Sequence, residues 1–236
     1  ALGPGGRIFT SVLIALHQFG LSVVLLLLAA QNLSSFIYSF FSIEVSFCFT
    51  AIGATAVLLP IMMLASPKDF WQAAVIATVS TTIAVVLIFI GAAHDFDVCY
   101  ANVHYREEID ERKFFLAFGT ISFAYAGHSC FPTIQHDMKR PQDFTKSVRA
   151  AYILVALMYI PVSAFGYAVY GQSLGSSVIN SLQQHWVRQA VNILITIHVF
   201  FGEVIIMSPL SLEIEELLHI PKHFTYKRVI VRTGIM

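Results

Sequence analysis

The sequence predicts an all-α integral membrane protein, and three observations carry that prediction. Of its 236 residues, 57% are hydrophobic and only 12% are charged, where soluble proteins carry about 25% Asp, Glu, Lys and Arg. Mean hydropathy is +0.73. The apolar residues gather into six stretches, each long enough to cross a bilayer as a helix. None alternates with the period of two that a barrel strand would show. The same numbers exclude other classes. The chain is too apolar to be disordered, and its zero net charge argues against a nucleic-acid partner. Cys48, Cys99 and Cys130 are too few for a disulfide scaffold.

Crossing ~30 Å of hydrocarbon at ~1.5 Å per residue takes about 20 apolar residues. The first stretch covers residues 8–30 and includes the unbroken apolar run 23–30. The second covers 45–65 and the third 71–93. The fourth, 114–134, is richer in small and polar residues. The fifth covers 148–170 and the sixth 187–210. Residues 1–236 thus read as a single, partial transmembrane domain.

Charge placement between the spans predicts an orientation. Ten cations fall on one side: Arg7, Lys68, Lys139, Arg140, Lys146, Arg149, Lys222, Lys227, Arg228 and Arg232. Four fall on the other: Arg106, Arg112, Lys113 and Arg188. Cations stay cytosolic, so both chain ends are expected in the cytosol. The acid-rich segment 107–111 then faces the outside or a lumen. The opening Ala1-Leu2-Gly3-Pro4-Gly5-Gly6 reads as a loop, and Arg232 to Met236 as the start of another apolar segment. The expectation is a piece of a longer protein, without a signal-peptide pattern.

The fourth span holds the first candidate site. Gly119, Gly127 and Pro132 interrupt it, and Thr120, Ser122, Tyr125, His128 and Ser129 make it polar. Pro132 has no N–H for the carbonyl of His128, four residues earlier. Interrupted backbone in a membrane is tolerated where protein or a water-filled cavity satisfies it, and in transporters such interruptions face the substrate. The competing reading is a proline-kinked helix packed closely through Gly127.

The sixth span holds the second. Asn192, Thr196 and Glu203 share a face, within about 40° of one another at ~100° per residue. Glu203 is the only acid deep inside an expected span. A charge there costs at least ~2.5–3.5 kcal/mol. The cost is relieved if Glu203 sits inside the bundle, carries a proton or holds a cation, which suits an ion-coupling role. The plainer alternative is a glutamate nearer the interface or hydrogen-bonded for packing. Histidine as a residue can carry protons, but lone membrane histidines such as His17 and His198 more often pack. Tyr152, Tyr159, Ser163, Tyr167 and Tyr170 read as a packing face, with Tyr167 and Tyr170 in an interfacial belt. Glu213, Glu215 and Glu216 read as a solvated helix end. Asn32-Leu33-Ser34 is a glycosylation sequon too near the membrane to be used. A disulfide between Cys48 and Cys99 is disfavoured. No zinc-protease, nucleophile-elbow or phosphate-loop motif occurs, so nothing supports an enzyme, a metal site or an organic cofactor.

The run Phe118 to Pro141, FGTISFAYAGHSCFPTIQHDMKRP, resembles the sixth-helix signature of the amino acid/auxin permease family, which includes vesicular inhibitory and proton-coupled amino acid transporters. Ser66-Pro67-Lys68-Asp69-Phe70, Gly166-Tyr167 with Tyr170-Gly171, Pro209, Glu213 to Glu216 and Arg228 to Arg232 are also similar. The resemblance implies a leucine-transporter-like inverted-repeat bundle, the six spans being helices three to eight of about eleven. It implies an amino acid substrate bound beside Thr120, Phe123, Ala124, Tyr125, Gly127 and His128, the remainder of the site lying on helices absent from this chain. Sodium-coupled relatives use a hydroxyl on helix eight, whereas Phe201-Gly202-Glu203 has none. Proton coupling through Glu203, with Thr196 and Asn192, is therefore preferred over sodium. The expectation is a secondary, proton-coupled amino acid transporter working by alternating access in the plasma membrane or a vesicle or lysosome membrane. A sensor of the same fold is the alternative. An ion channel is disfavoured because no charged ring or filter loop is visible.

Overall fold

The structure is a computed structural model that describes residues 3–64, 70–100, 103–105, 110–175, 177–220 and 225–236. Ser66 to Asp69, Arg106, the acids Glu107 and Glu108, and Lys222 lie outside the described residues. The described residues form no strand. In order, the α-helices are α1 Gly3–Phe41, α2 Phe47–Leu64, α3 Phe70–Cys99, α4 Glu111–Ala124, α5 Phe131–Asp137, α6 Phe144–Tyr170, α7 Val178–Ser181, α8 His185–Leu217 and α9 Tyr226–Ile235. Among the described residues, five helical stretches are long and apolar enough to cross a membrane: Ile8–Phe41, Trp71–Cys99, Glu111–Asp137, Pro141–Ser173 and His185–Leu217. Phe47–Met63 is equally apolar but shorter.

Several helices outrun the apolar stretches that announce them. Gln31, Asn32, Ser34 and Ser35 end the first apolar run, yet none of them breaks a helix. α1 continues until Ser42, which takes a left-handed φ of 54° while its N–H donates to the carbonyl of Tyr38 at 2.9 Å. This is how a helix end commonly closes. The sequon at Asn32 is therefore helical. α3 likewise passes through His94, Asp95 and Asp97 to Cys99.

The chain forms two compact units. The first comprises residues 1–81 and 192–236. Its core joins Leu58 and Met62 of α2 to Val204, Met207 and Leu210 of α8. Beside this core Glu215 is only 3% exposed. Its Oε1 accepts from Arg228 Nε at 2.9 Å and Arg232 Nε at 2.6 Å. Arg232, equally buried, also donates through Nη1 to the carbonyl of Met62, at the C-terminal end of α2 where a cation is favoured. The reading of Glu213 to Glu216 as a solvated end is corrected at Glu215. The carboxylate pairs with two guanidinium groups and ties α8 to α9, while Glu216 is exposed.

The second unit comprises residues 82–191, with Ala92, Val169 and Tyr170 at its core. Asp95 is 3% exposed. Its Oδ2 accepts from the Tyr170 hydroxyl at 2.7 Å and from the Gln183 N–H at 2.9 Å. Tyr170 is thus buried, not part of an interfacial belt, whereas Tyr167 is exposed. Gly171 ends α6 with φ 52°. A Cβ there would stand 2.6 Å from the carbonyl oxygen of His104, so only glycine permits this approach. Among the described residues, no disulfide joins Cys48 to Cys99.

Candidate functional site

The fourth span is a true interruption rather than a kinked helix. α4 ends at Ala124, Tyr125 leaves helical geometry at φ −104° and ψ 14°, and Ala126–Cys130 forms a tight 3-10 segment. α5 then starts with Pro132 in its first turn, where a missing N–H costs little. The carbonyl of His128, denied a donor by Pro132, accepts from the Phe131 N–H instead. It is therefore not a free acceptor, contrary to the simplest reading of the proline spacing. The carbonyl of Tyr125, at the start of this segment, also accepts from the Tyr152 hydroxyl of α6 at 3.4 Å. The Tyr125 ring stacks on Tyr152 with centroids 6.0 Å apart and meets Tyr159 edge-on at 5.9 Å. These contacts hold the interrupted turn against α6.

A cavity of about 300 Å³ lies between this turn, α5 and α6. Of the residues expected to touch substrate, Ala124, Tyr125 and Gly127 line it. They are joined by Phe131, Met138, Phe144, Val148 and Tyr152, among others. Among the described residues, no charged side chain lines it. A Cβ on Gly127 would meet nothing within 4 Å, so the glycine leaves space open rather than allowing close packing. Thr120, Phe123 and His128 are exposed and do not line the cavity. The Thr120 hydroxyl is spent on the Leu116 carbonyl at 2.9 Å. The α6 residues of the lining were missed because their apolar pattern is indistinguishable from lipid-facing sequence. Only Tyr152, already singled out among the tyrosines of that span, carried a signal.

Glu203 lies in the first unit and is 1% exposed. Its Oε1 accepts from the Ser22 hydroxyl of α1, while its Oε2 is buried with no hydrogen-bond partner among the described residues. Asn192 is also buried, and Thr196 donates to the carbonyl of Asn192 at 2.7 Å. Thr196 and Asn192 share a face of α8 with Glu203 but stand roughly 10 and 16 Å from it along the axis, at ~1.5 Å per residue. The three form a stripe, not one cluster. His198 Nδ1 lies 2.6 Å from Thr81 Oγ1 and 3.1 Å from the Ala77 carbonyl. The carbonyl can only accept, so this nitrogen is assigned the proton. Among the described residues, no three His, Cys, Asp or Glu side chains are placed to hold a metal ion.

Comparison with known proteins adds an independent result. Residues 1–236 match the family described as transmembrane amino acid transporter protein. Amino acid transporter AVT1B of Arabidopsis thaliana is 25% identical over 92% of this chain and 41% of its own length. Lysine histidine transporter-like 1 of the same plant is 34% identical over 51% of this chain and 29% of its own length. Vacuolar amino acid transporter 4 of Saccharomyces cerevisiae is 22% identical over 89% of this chain and 30% of its own length. The chain thus spans about two-fifths of the length of the AVT1 relatives that it matches. No solved structure gives a significant match. With apolar helices of membrane-spanning length and a family match from end to end, the chain is part of a multi-pass membrane protein and not an enzyme, and it belongs to the transmembrane amino acid transporter protein family.

Proposed function

We propose that the protein is a secondary active amino acid transporter that works by alternating access as a proton symporter. The observation that carries this is the interruption at residues 125–130, which borders a cavity of about 300 Å³. Helix interruptions at membrane depth are where transporters of the inverted-repeat kind hold their substrates. Ala124, Tyr125 and Gly127 are the contacts that the cavity supports, with Thr120, Phe123 and His128 assigned on family resemblance. The uncharged lining favours an amino acid with an uncharged side chain, because a buried, unpaired charge is costly. On this reading the first six long or apolar helices of the chain correspond to helices three to eight of the bundle. Both chain ends face the cytosol, and the vacuolar relative favours an internal membrane.

Glu203, with Thr196 and Asn192 along the same face, is the coupling acid. Its second oxygen has no partner, which leaves room for a proton. A sodium ion would want several oxygen ligands converging on one point, and the stripe does not supply them.

The test is uptake by the purified full-length protein in liposomes. Labelled neutral amino acid should accumulate under an inward proton gradient and collapse with an uncoupler. Binding without accumulation would favour an amino acid sensor of the same fold. Gly127→Leu should lower substrate affinity at least tenfold while leaving insertion and melting temperature unchanged, because the new side chain enters open space. Unchanged affinity would remove the cavity from the site.

A further inference from the structure

Ser22 departs from a pattern that its neighbours obey. Hydroxyls on membrane helices usually bond the carbonyl one turn back on their own helix. Thr55, Thr78, Thr120, Ser163 and Thr196 all do so here, at 2.7 to 3.0 Å. Ser22, 3% exposed on α1, instead donates across the first unit to Glu203 Oε1, 181 residues away in sequence. Among the described residues it is the one hydrogen bond to that carboxyl group, whose other oxygen is buried and has no partner.

We infer that Ser22 is a positioning residue for proton coupling: its hydroxyl fixes the Glu203 carboxyl through Oε1 and so confines proton exchange to Oε2. The step is a simple transfer. Oε2 forms an O–H bond with a proton delivered by water from one side of the membrane, and that bond breaks to water on the other. Nothing is oxidised or reduced. The inference rests on the proton-coupling reading above.

The other ionisable groups on the elements packed in this unit are few. α1 carries Arg7, His17 and Tyr38, of which His17 lies five residues before Ser22. Within this unit α8 carries His198, whose Nδ1 is engaged by Thr81 and Ala77, Glu215, paired with Arg228 and Arg232 of α9, and Glu213 and Glu216 toward its C-terminal end, and α9 adds Tyr226 and Lys227. α2 carries only the thiol of Cys48, and the part of α3 in this unit carries none. Ser22 is the group hydrogen-bonded to the Glu203 carboxyl, so its removal should be felt there.

The experiment is proton-driven uptake by the full-length protein in liposomes, measured from pH 5 to 9 for the wild type, Ser22→Ala, Ser22→Thr and Glu203→Gln. Removing the donor weakens the hold on the charged carboxylate. Ser22→Ala should therefore move the midpoint of the pH profile to more alkaline values by about one unit, equivalent to tenfold in proton concentration. The substrate KM at saturating protons should not change. Ser22→Thr, which keeps the hydroxyl, should retain the wild-type profile. Equal displacement in the Ala and Thr variants would assign the effect to packing and overturn the proposal. A wild-type profile in Ser22→Ala, with pH dependence lost in Glu203→Gln, would overturn the Ser22 role and leave the coupling reading standing. Full pH dependence in Glu203→Gln would sink the coupling reading itself. Should Ser22→Ala fail to insert, Ser22→Cys, a weaker donor, should give an intermediate displacement, and a wild-type profile there overturns the proposal equally.

Discussion

Asp95 in the second unit and Glu203 in the first are both acids buried almost completely in a membrane protein, yet they are solvated in opposite ways. Asp95 Oδ2 takes two donors, the Tyr170 hydroxyl and the Gln183 N–H. It replaces water with fixed dipoles and joins α3 to the end of α6 and to the segment before α8. Glu203 takes one donor and leaves an oxygen bare. A group with its donors satisfied is committed to one state. A group with an unmet acceptor is held less firmly and can take up a proton without breaking a contact. Burial alone therefore does not distinguish a clamp from a carrier; the number of donors does.

That contrast can be broken by removing each acid and measuring unfolding of the detergent-solubilised protein. The upper end of the scale is Glu215, which shares the first unit with Glu203 but pairs with two arginines. Glu215→Ala strands the buried Arg232 guanidinium and should cost about 3–5 kcal/mol, the loss expected when one partner of a buried pair is removed. Arg232 is still held by the Met62 carbonyl, so a double variant Glu215→Ala with Arg232→Met should recover much of that loss. Failure to recover would mean that the ion pair is not what makes the site costly to disturb.

Asp95→Asn is the intermediate case. The amide oxygen can still accept from Tyr170 or Gln183, but two charge-assisted bonds become neutral ones. A loss of about 1–3 kcal/mol is expected. Tyr170→Phe should give a similar loss, and the double variant should cost less than the sum because the two residues share one bond. Strict additivity would show that the Asp95 contact with Tyr170 contributes nothing, and would bring Asp95 closer in kind to Glu203.

How far these roles could be read from sequence depends on which signal each one needs. Apolar length and charge asymmetry are local properties, so the helical membrane class was legible. The interruption was legible for the same reason, since Gly127 and Pro132 act on their own backbone. Its hydrogen bonding was not, because the partner of the Tyr125 carbonyl is Tyr152, 27 residues on. Asp95 escaped notice because the apolar stretch ends at Ala93, two residues before it, and its partners lie 75 and 88 residues away. Glu215 looked solvated beside Glu213 and Glu216; the spacing of Arg228 and Arg232 by one helical turn was the available signal that a single acid could be gripped by both. Glu203 was legible because no other acid stood inside an apolar run, but Ser22 was not, since nothing local separates a serine that bonds its own helix from one that crosses to another.

The smallest expected effect is the most informative. Glu203→Gln preserves shape, and the amide oxygen can accept the Ser22 hydroxyl as Oε1 does. The amide nitrogen then occupies the position where the carboxyl oxygen has no partner. One unmet acceptor is exchanged for an amide group of similar need, and no existing bond is lost. Stability should therefore change by less than about 1 kcal/mol, in either direction, against the larger losses at Asp95 and Glu215. Should Glu203→Gln instead cost as much as Glu215→Ala, the carboxylate would have to be holding a charged partner or several donors in the folded protein. It would then be a third clamp, and the bare oxygen on which its coupling role depends would not describe the working state.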